Sequence, residues 1–460
     1  MATQKNLVDL ATKAYIYGFP FIFNTQQIER YVTVGIGGTK QVPFNNFTHA
    51  SRLAEPSDKF VSVNNDTIYS NAPIDVSAGP VVLSVPDTSG RYYVLQFVDA
   101  WSNNFAYVGK RATGTSAGKF LLTPPNWNGD VPADMIEIKF PTNIGIIIGR
   151  LACDGEADLP TVRELQEQLK ITPLNEGKEV DGFPEYDRSL GKELAFFEQL
   201  RVYMAQFPPA ERDLVKQESF APIGLMEKGV SPYSNPSEEL KNALIEGAKA
   251  GLANIKKATT NFKSENGWGL TQHLFDYNAD FFEIGTKKSL DWVIEDREEA
   301  YIIRAVSAIT ALWGNHGYEA VYLMTWTDTD GNALNGKNKY TLELNPIPPV
   351  DSFWSITMYD LPEYFLCENP INRYSIGDRT PGIQYNDDGG ITIVVSKDEP
   401  TDPKERANWL PAPDAEFRPM FRLYNPQQPL VDGSYHFPGF EKYFENIRTI
   451  YVIRCRNRSA

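Results

Sequence analysis

The stretch RYYVLQFVDAW (91–101) returns in altered form as DSFWSITMYDL (351–361). Laid together, Tyr92 falls on Phe353, Tyr93 on Trp354 and Asp99 on Asp360. Downstream, YVGKRATG (107–114) matches YSIGDRTPG (374–382), which sets Gly109 on Gly377, Arg111 on Arg379 and Gly114 on Gly382. Further on, Asn126-Trp127 finds a counterpart in Asn408-Trp409. Three matches in one order predict two copies of a single module. No other feature restricts the fold as much.

The texture between these anchors says what the module is made of. GPVVLSVP, KFLLTPP, MIEIKF and GIIIGRLAC are short β-branched and aromatic runs bounded by Gly, Pro, Asn or Asp. Strands at this spacing with no helices between them predict an antiparallel sandwich or barrel. The expected fold is mainly β with α: two jelly-roll-like β-sandwich modules, at 40–155 and 321–460. A helical insert at 156–320 separates them, and residues 1–39 form an N-terminal helical segment. In the insert, Leu240, Leu244, Ala248, Leu252 and Ile255 recur at helical steps, with Asn235 as N-cap, Pro236 at the first helical position and Glu238 closing a capping box. Tyr301, Ala305, Ile309 and Leu312 mark a second helix, expected to stop at Gly314. Leu7, Leu10, Ala11, Ala14 and Tyr15 give the N-terminal helix the same periodicity.

VNNDTIYS and RYYVLQFVDAW in the first half, with FWSITMYD, Asn372-Arg373-Tyr374-Ser375-Ile376-Gly377, NWLPAP and FRLYNP in the second, carry a family likeness. The chain resembles the bacterial and viral proteins in which domain of unknown function 1254 precedes domain of unknown function 1214. The resemblance implies tandem jelly-roll-like modules and oligomers, and it implies no established reaction.

Charge and cysteines exclude several classes of partner. A net charge of −15 repels phosphate backbones and anionic lipid, so neither nucleic acid nor a membrane surface is expected. Cys153, Cys367 and Cys455 are far apart and share no CxxC spacing, which predicts buried thiols rather than a disulfide framework or zinc site. The N-terminus lacks the continuous apolar core of an export signal, so the expected location is cytoplasmic, with export compatible only with a trimmed signal. No run reaches transmembrane length.

Motifs for chemistry are sparse. GTSAG (114–118) fits G-x-S-x-G around Ser116, yet it precedes a strand-like run ending in two prolines, where a nucleophile elbow needs a helix. His49, His273, His316 and His436 are scattered, with no HExxH pair, and no metal site is expected; His316, after a helix end, is the one to watch. DTDGNALNG (328–336) resembles a calcium loop but has Lys339 where the bidentate glutamate belongs, so a tight turn is expected. Phosphate loops are absent and no cofactor is expected.

Asp99, Arg111, Asp360 and Arg379 recur in both copies and so read as structural, each arginine tying to the aspartate of its own module. VNNDTIYSN (63–71) has no evident equivalent in the second copy, and an unshared polar loop is where a module carries specificity. Asn65, Asp66, Thr67 and Tyr69, with Trp101 and Asn103, form the expected ligand pocket. The 12% aromatic content favours a small organic or saccharide ligand. The alternatives are a hydrolase or lyase pairing Asp66 with a distant histidine, and a capsid-like assembly protein. A homo-oligomer is expected in each case.

Overall fold

The computed structural model describes residues 4–36, 39–59, 62–175, 178–260 and 263–443. It opens with helix α1 (Gln4–Thr33), which keeps Pro20 inside and buries Ala11, Ala14, Tyr17, Phe21 and Ile28.

The first sandwich follows. Its strands are β1 (Thr48–His49), β2 (Thr67–Asp75), β3 (Val81–Val85), β4 (Tyr93–Asp99), β5 (Asn104–Gly109), β6 (Gly118–Thr123), β7 (Ile136–Lys139) and β8 (Ile144–Ala152). Helix α2 (Leu159–Gln168) then leads into β9 (Lys170–Pro173), which carries the sandwich past residue 155. One sheet runs β1-β2-β8-β4-β5 and the other β7-β6-β3-β9. Alternation works as in any half-buried strand: Ile68, Ala72 and Ile74 of β2 enter the sandwich core, while Tyr69 points away from it.

Helices α3 (Lys192–Gln206), α4 (Leu214–Glu218), α5 (Glu238–Ala258) and α6 (Arg297–Ala311) make up most of the insert, with short strands β10 (Ser264–Glu265) and β11 (Trp268–Gly269) between α5 and α6. The cap of α5 is Ser237, whose hydroxyl accepts from the Leu240 amide at 3.2 Å, rather than the expected Asn235. Helix α6 is capped by Asp296 and ends at Ala311; Trp313, not Gly314, takes the left-handed conformation there (φ 63°). Gly314 is needed for another reason, since a Cβ would lie 2.2 Å from the Phe275 ring.

The second sandwich has β12 (Ala320–Thr325), β13 (Tyr340–Leu344), β14 (Val350–Asp360), β15 (Ser375–Gly377) and β16 (Ile391–Ser396). Helix α7 (Pro403–Ala407) precedes β17 (Trp409–Pro411) and β18 (Phe417–Pro426), and helix α8 (Gln428–Val431) precedes β19 (Glu441–Lys442). Its sheets run β10-β11-β12-β18-β14-β15 and β17-β16-β13-β19. Thus β2-β8-β4-β5 and β7-β6-β3-β9 reappear strand for strand as β12-β18-β14-β15 and β17-β16-β13-β19. Among the described residues the sole parallel pair in each, β6 with β7 and β16 with β17, is the same one.

Register refines the comparison. Tyr93 pairs with Leu151 as Trp354 pairs with Leu423, and Asp99 with Gly145 as Asp360 with Phe417. Val94 faces Gly109 as Ser355 faces Gly377. The Asn-Trp match does not hold: Trp409 opens β17, whereas Trp127 sits in the loop nine residues ahead of β7. Gly109 and Gly377 are required where strands meet, because a Cβ at Gly109 would come within 2.4 Å of Tyr93 O and one at Gly377 within 2.1 Å of Trp354 O.

A backbone oxygen cannot withdraw as a flexible side chain can. Gly377→Ala is therefore expected to cost about 3 kcal/mol in urea unfolding, while Gly382→Ala, with open space around it but φ of 78°, costs about 1 kcal/mol. Equal losses in the two variants would contradict this account.

Candidate functional site

The outer faces of the two larger sheets meet, and the seam between them is polar. Arg150 on β8 donates to Gln96 Oε1 (2.8 Å), Asn315 Oδ1 (3.3 Å) and the Trp313 carbonyl (2.7 Å). Arg422, at the same place on β18, donates to Thr357 Oγ1 (2.7 Å), Tyr359 OH (2.7 Å) and the Ser62 carbonyl (3.0 Å). Each arginine is buried, and each finds a main-chain acceptor in the segment that leads into the other sandwich. Burying a guanidinium is tolerable only with its donors met.

Asp66 lies in this seam. Its carboxylate is buried and accepts from Ser355 Oγ (2.6 Å) and Tyr424 OH (2.9 Å), both of the second sandwich. Register gives it a counterpart after all. Thr67 opens β2 opposite Ala152 as Ala320 opens β12 opposite Tyr424, so Glu319 stands where Asp66 does. Glu319 accepts from Tyr92 OH (2.9 Å) of the first sandwich and from Asn425 Nδ2 (3.0 Å). Each carboxylate thus takes a tyrosine hydroxyl from across the seam. The spans from these acids to the matching strands, β4 and β14, differ in length, which hid the equivalence in the sequence.

The other expected pocket residues divide. Asn65 donates to the Ala54 carbonyl at 2.5 Å, Thr67 has a buried hydroxyl without a partner, and Tyr69 is half-buried with the Arg150 guanidinium 5.3 Å from its ring. These three stay with Asp66. Trp101 and Asn103 do not. Trp101 stacks on Phe21 of α1 at 4.0 Å and donates to the Phe207 carbonyl, and Asn103 bonds the Asp99 carboxylate through its amide and Nδ2. They lie beyond the far end of β4.

The arginine ties also differ from expectation. Asp99 and Asp360 cap the turns after their strands, Asp360 accepting from the Phe365 amide at 2.7 Å. Arg111 and Arg379 sit at the opposite ends of those strands, about 17 Å away at 3.3 Å per residue, and reach across the seam instead. Arg379 contacts Asp154 (2.7 Å), the Asp66 carbonyl (3.2 Å) and the face of Phe353 (3.5 Å). Arg111 binds the carbonyls of Tyr318 and Pro426 (2.8 Å for the latter).

None of the four histidines hydrogen-bonds Asp66. His273 Nδ1 is 2.6 Å from Asp276 and its Nε2 3.2 Å from the Val431 carbonyl, so both ring nitrogens face acceptors. The Asp276 carboxylate raises its pKa, and the ring bridges Asp276 to the Val431 carbonyl rather than standing as a free base. His316 Nδ1 accepts from the Tyr318 amide while Nε2 lies 2.9 Å from Asp276. His49 bonds Ser70, and His436 bonds Glu265. Among the described residues no group of three or more His, Cys, Asp or Glu side chains could hold a metal ion. Ser116 is exposed in a turn before β6, and Asp328 closes its own turn onto the Asp330 and Asn332 amides. Cys153 and Cys367 are buried free thiols, pushed up by burial to about 11 and about 12; Cys455 lies outside the described residues.

Open space lies elsewhere. Helices α1, α4, α5 and α6 surround a groove of about 330 Å³. Lys13 and Ile16 come from α1, Lys216 from α4, Lys257 and Ala258 from α5, and Glu298, Tyr301 and Ile302 from α6. Tyr301 donates to the buried Asp213 at 2.6 Å, which fixes its ring at the groove wall. Sequence patterns mark none of these residues as a site, and Tyr301 enters them only as part of a helical repeat. No described helix is long and apolar enough to cross a membrane.

Two predictions concern the seam. Asp66→Ala strands the Ser355 and Tyr424 hydroxyls and is expected to cost about 2–4 kcal/mol, with Asp66→Asn costing about half or less because its oxygen still accepts both. An Asp66→Ala loss below 1 kcal/mol in denaturant titrations would contradict the assignment. Burial raises Glu319 from 4.5 to about 7 and Asp99 from 3.8 to about 6. Between the lower and upper values the folded protein keeps protons that the unfolded chain has released, so stability falls as pH rises from about 4 to about 7. The raised His273 acts with the same sign, its stabilisation being lost as pH climbs through its folded value. Glu319→Gln keeps both hydrogen bonds, and should match the wild type at pH 4 yet exceed it by about 1–3 kcal/mol at pH 8. A difference independent of pH would count against the buried, protonated carboxyl.

Residues 44–173 match the family model described as protein of unknown function (DUF1254), and residues 319–428 the one described as protein of unknown function (DUF1214). The matches cover the first sandwich and the second except β10, β11 and β19, and leave every groove residue outside them. The VPA0106 protein from Vibrio parahaemolyticus is similar at 24% identity and TM-score 0.74, over 95% of this chain and all of that one, and has the same fold. A putative uncharacterized protein from Burkholderia cenocepacia is 11% identical, with TM-score 0.43, over 96% of this chain and 95% of that one. No curated protein matches the chain. The chain belongs to the family in which a DUF1254 region is followed by a DUF1214 region.

Proposed function

We propose that this protein binds a small organic ligand in the groove between α1, α4, α5 and α6, with the paired sandwiches as its rigid frame. The observation that carries the proposal is the groove's size. About 330 Å³ falls within the range of small-molecule sites, and the walls mix apolar and polar side chains as such sites do. The packing of Asp66 against two hydroxyls argues for a role in holding the modules together. The occupied ring nitrogens of His273 and His316 speak against the hydrolase or lyase alternative.

We also infer that the two sandwiches arose by duplication of one module. Matching strand orders, the shared parallel pair and the equivalent positions of Arg150 and Arg422 support it. The symmetric contact that separate modules would make between chains is then made within one.

Thermal unfolding against a panel of organic acids, sugars and alcohols tests the ligand proposal, because a ligand that binds only the folded state raises the midpoint. A stabilising compound is expected to lose its effect in Ile302→Trp, whose side chain fills the groove, and to keep it in Asp66→Asn. The reverse pattern would move the site to the seam and sink the groove proposal.

A further inference from the structure

The groove's electrostatics narrow the ligand's chemistry. In a chain of net charge −15, three of its nine lining residues are lysines. Lys13 is held by Asp9 at 2.8 Å and Lys216 by Glu298, while Lys257 makes no ion pair among the described residues. Lys216 also lies 5.4 Å from the centre of the Tyr301 ring.

Two further cations stand around that same ring. The Arg297 guanidinium is 5.3 Å from its centre, with Nε and Nη2 lacking any acceptor. Arg304 is 6.0 Å away and only 4% exposed; its Nε has no partner, and it forms no salt bridge among the described residues. Against these five cations stand Asp9, Asp213 and Glu298, with Asp99 facing Arg304 from the first sandwich. A buried guanidinium with donors unmet is costly, and its field is weakly screened by water. The wall presented by Tyr301 is therefore positive, although the molecule as a whole is acidic.

Resting on the groove being a ligand site, we propose that its ligand is a small organic anion. A carboxylate or phosphate head sits among Lys13, Lys216 and Lys257, and a short apolar body lies against Ile16, Ala258 and Ile302. Glu298 occupies Lys216 in the empty groove and yields it to the incoming anion. The acid therefore competes with a built-in counter-ion, which lowers affinity and favours ligands of matching reach.

Isothermal titration with matched probes tests this. Hexanoate, benzoate and phenyl phosphate are compared with hexanamide and benzamide at pH 7.5, in 20 mM and 300 mM salt. At least one acid should bind tenfold or more tightly than its amide and weaken in high salt. Lys216→Gln should reduce that binding about tenfold, and Glu298→Gln should increase it several-fold by freeing Lys216. Because Lys216 also rests on Tyr301, Lys257→Gln provides a second loss-of-charge variant whose side chain is exposed. Circular dichroism and unfolding midpoints confirm that each variant is folded.

Preference for phenyl phosphate over both carboxylates would assign the head as a phosphate, and the converse as a carboxylate; either supports the proposal. Equal binding of acids and amides, unaffected by the lysine variants but lost in Ile302→Trp, would overturn the anion while leaving the groove as a ligand site. Binding that survives Ile302→Trp would overturn the groove itself. Failure of every probe to bind at 10 mM would overturn the proposal as stated.

Discussion

Two buried arginines organise this molecule. Arg150 and Arg422 sit on the outer faces of sheets that would otherwise be solvated, and taking a guanidinium out of water demands that its donors be met. Neither sandwich meets them alone. Gln96, Thr357 and Tyr359 accept from within each sandwich, and the remaining acceptors are Trp313 and Asn315 from the segment entering the second sandwich, and Ser62 from the segment entering the first. Each module thus lends its leading segment to the other, and separating them would leave two charges and two carboxylates with broken networks. The sandwiches have their own cores, yet their outer faces are complete only together.

That exchange explains where the helices go. The seam covers one half of the first large sheet, around Tyr92, Val94 and Ala152. The other half exposes Val98, Ile144, Ile146 and Ile148, an apolar surface that α1 covers with Tyr17 and Phe21, joined by Trp101. Helix α5 then approaches α1 closely because Gly247 and Gly251 present no side chains; a Cβ on them would lie 2.4 Å from Ala11 and 2.7 Å from Tyr15. The groove opens where α4 and α6 meet this pair. Its position follows from the sheet faces, though no groove residue belongs to a sheet.

The architecture was legible from sequence because it rests on periodicity and on residues with strict geometric demands. Gly109 and Gly377 recur since strand crossings leave no room for a Cβ, and Asp99 and Asp360 recur since each caps the same turn. Individual contacts were less legible. Arg111 and Arg379 follow matching strands, but an arginine that serves its own module and one that reaches across a seam look the same in sequence. Asp66 looked unshared because its counterpart is a glutamate, displaced in the alignment by a longer connection. The α5 cap moved two residues because Asn235 and Ser237 both satisfy the same local rule, and only the chain's path into the helix decides between them.

The seam and the groove also show why an unusual polar stretch misleads. VNNDTIYSN stands out since asparagine, aspartate and tyrosine are out of place near a strand, and such residues gather wherever a buried polar network must be closed. A ligand site and a structural seam therefore look alike in sequence. They differ in what is left over. In the seam Asp66, Glu319, Arg150 and Arg422 find their partners within the chain, so little interaction energy remains for a ligand. Around Tyr301, Arg297 and Arg304 keep donors with no acceptor, and Lys257 keeps an unpaired charge among the described residues. Lys257 lines the groove and the two arginines stand around its Tyr301 wall, whereas in the conspicuous loop the groups left over are the neutral oxygens of Thr67 and Asn71.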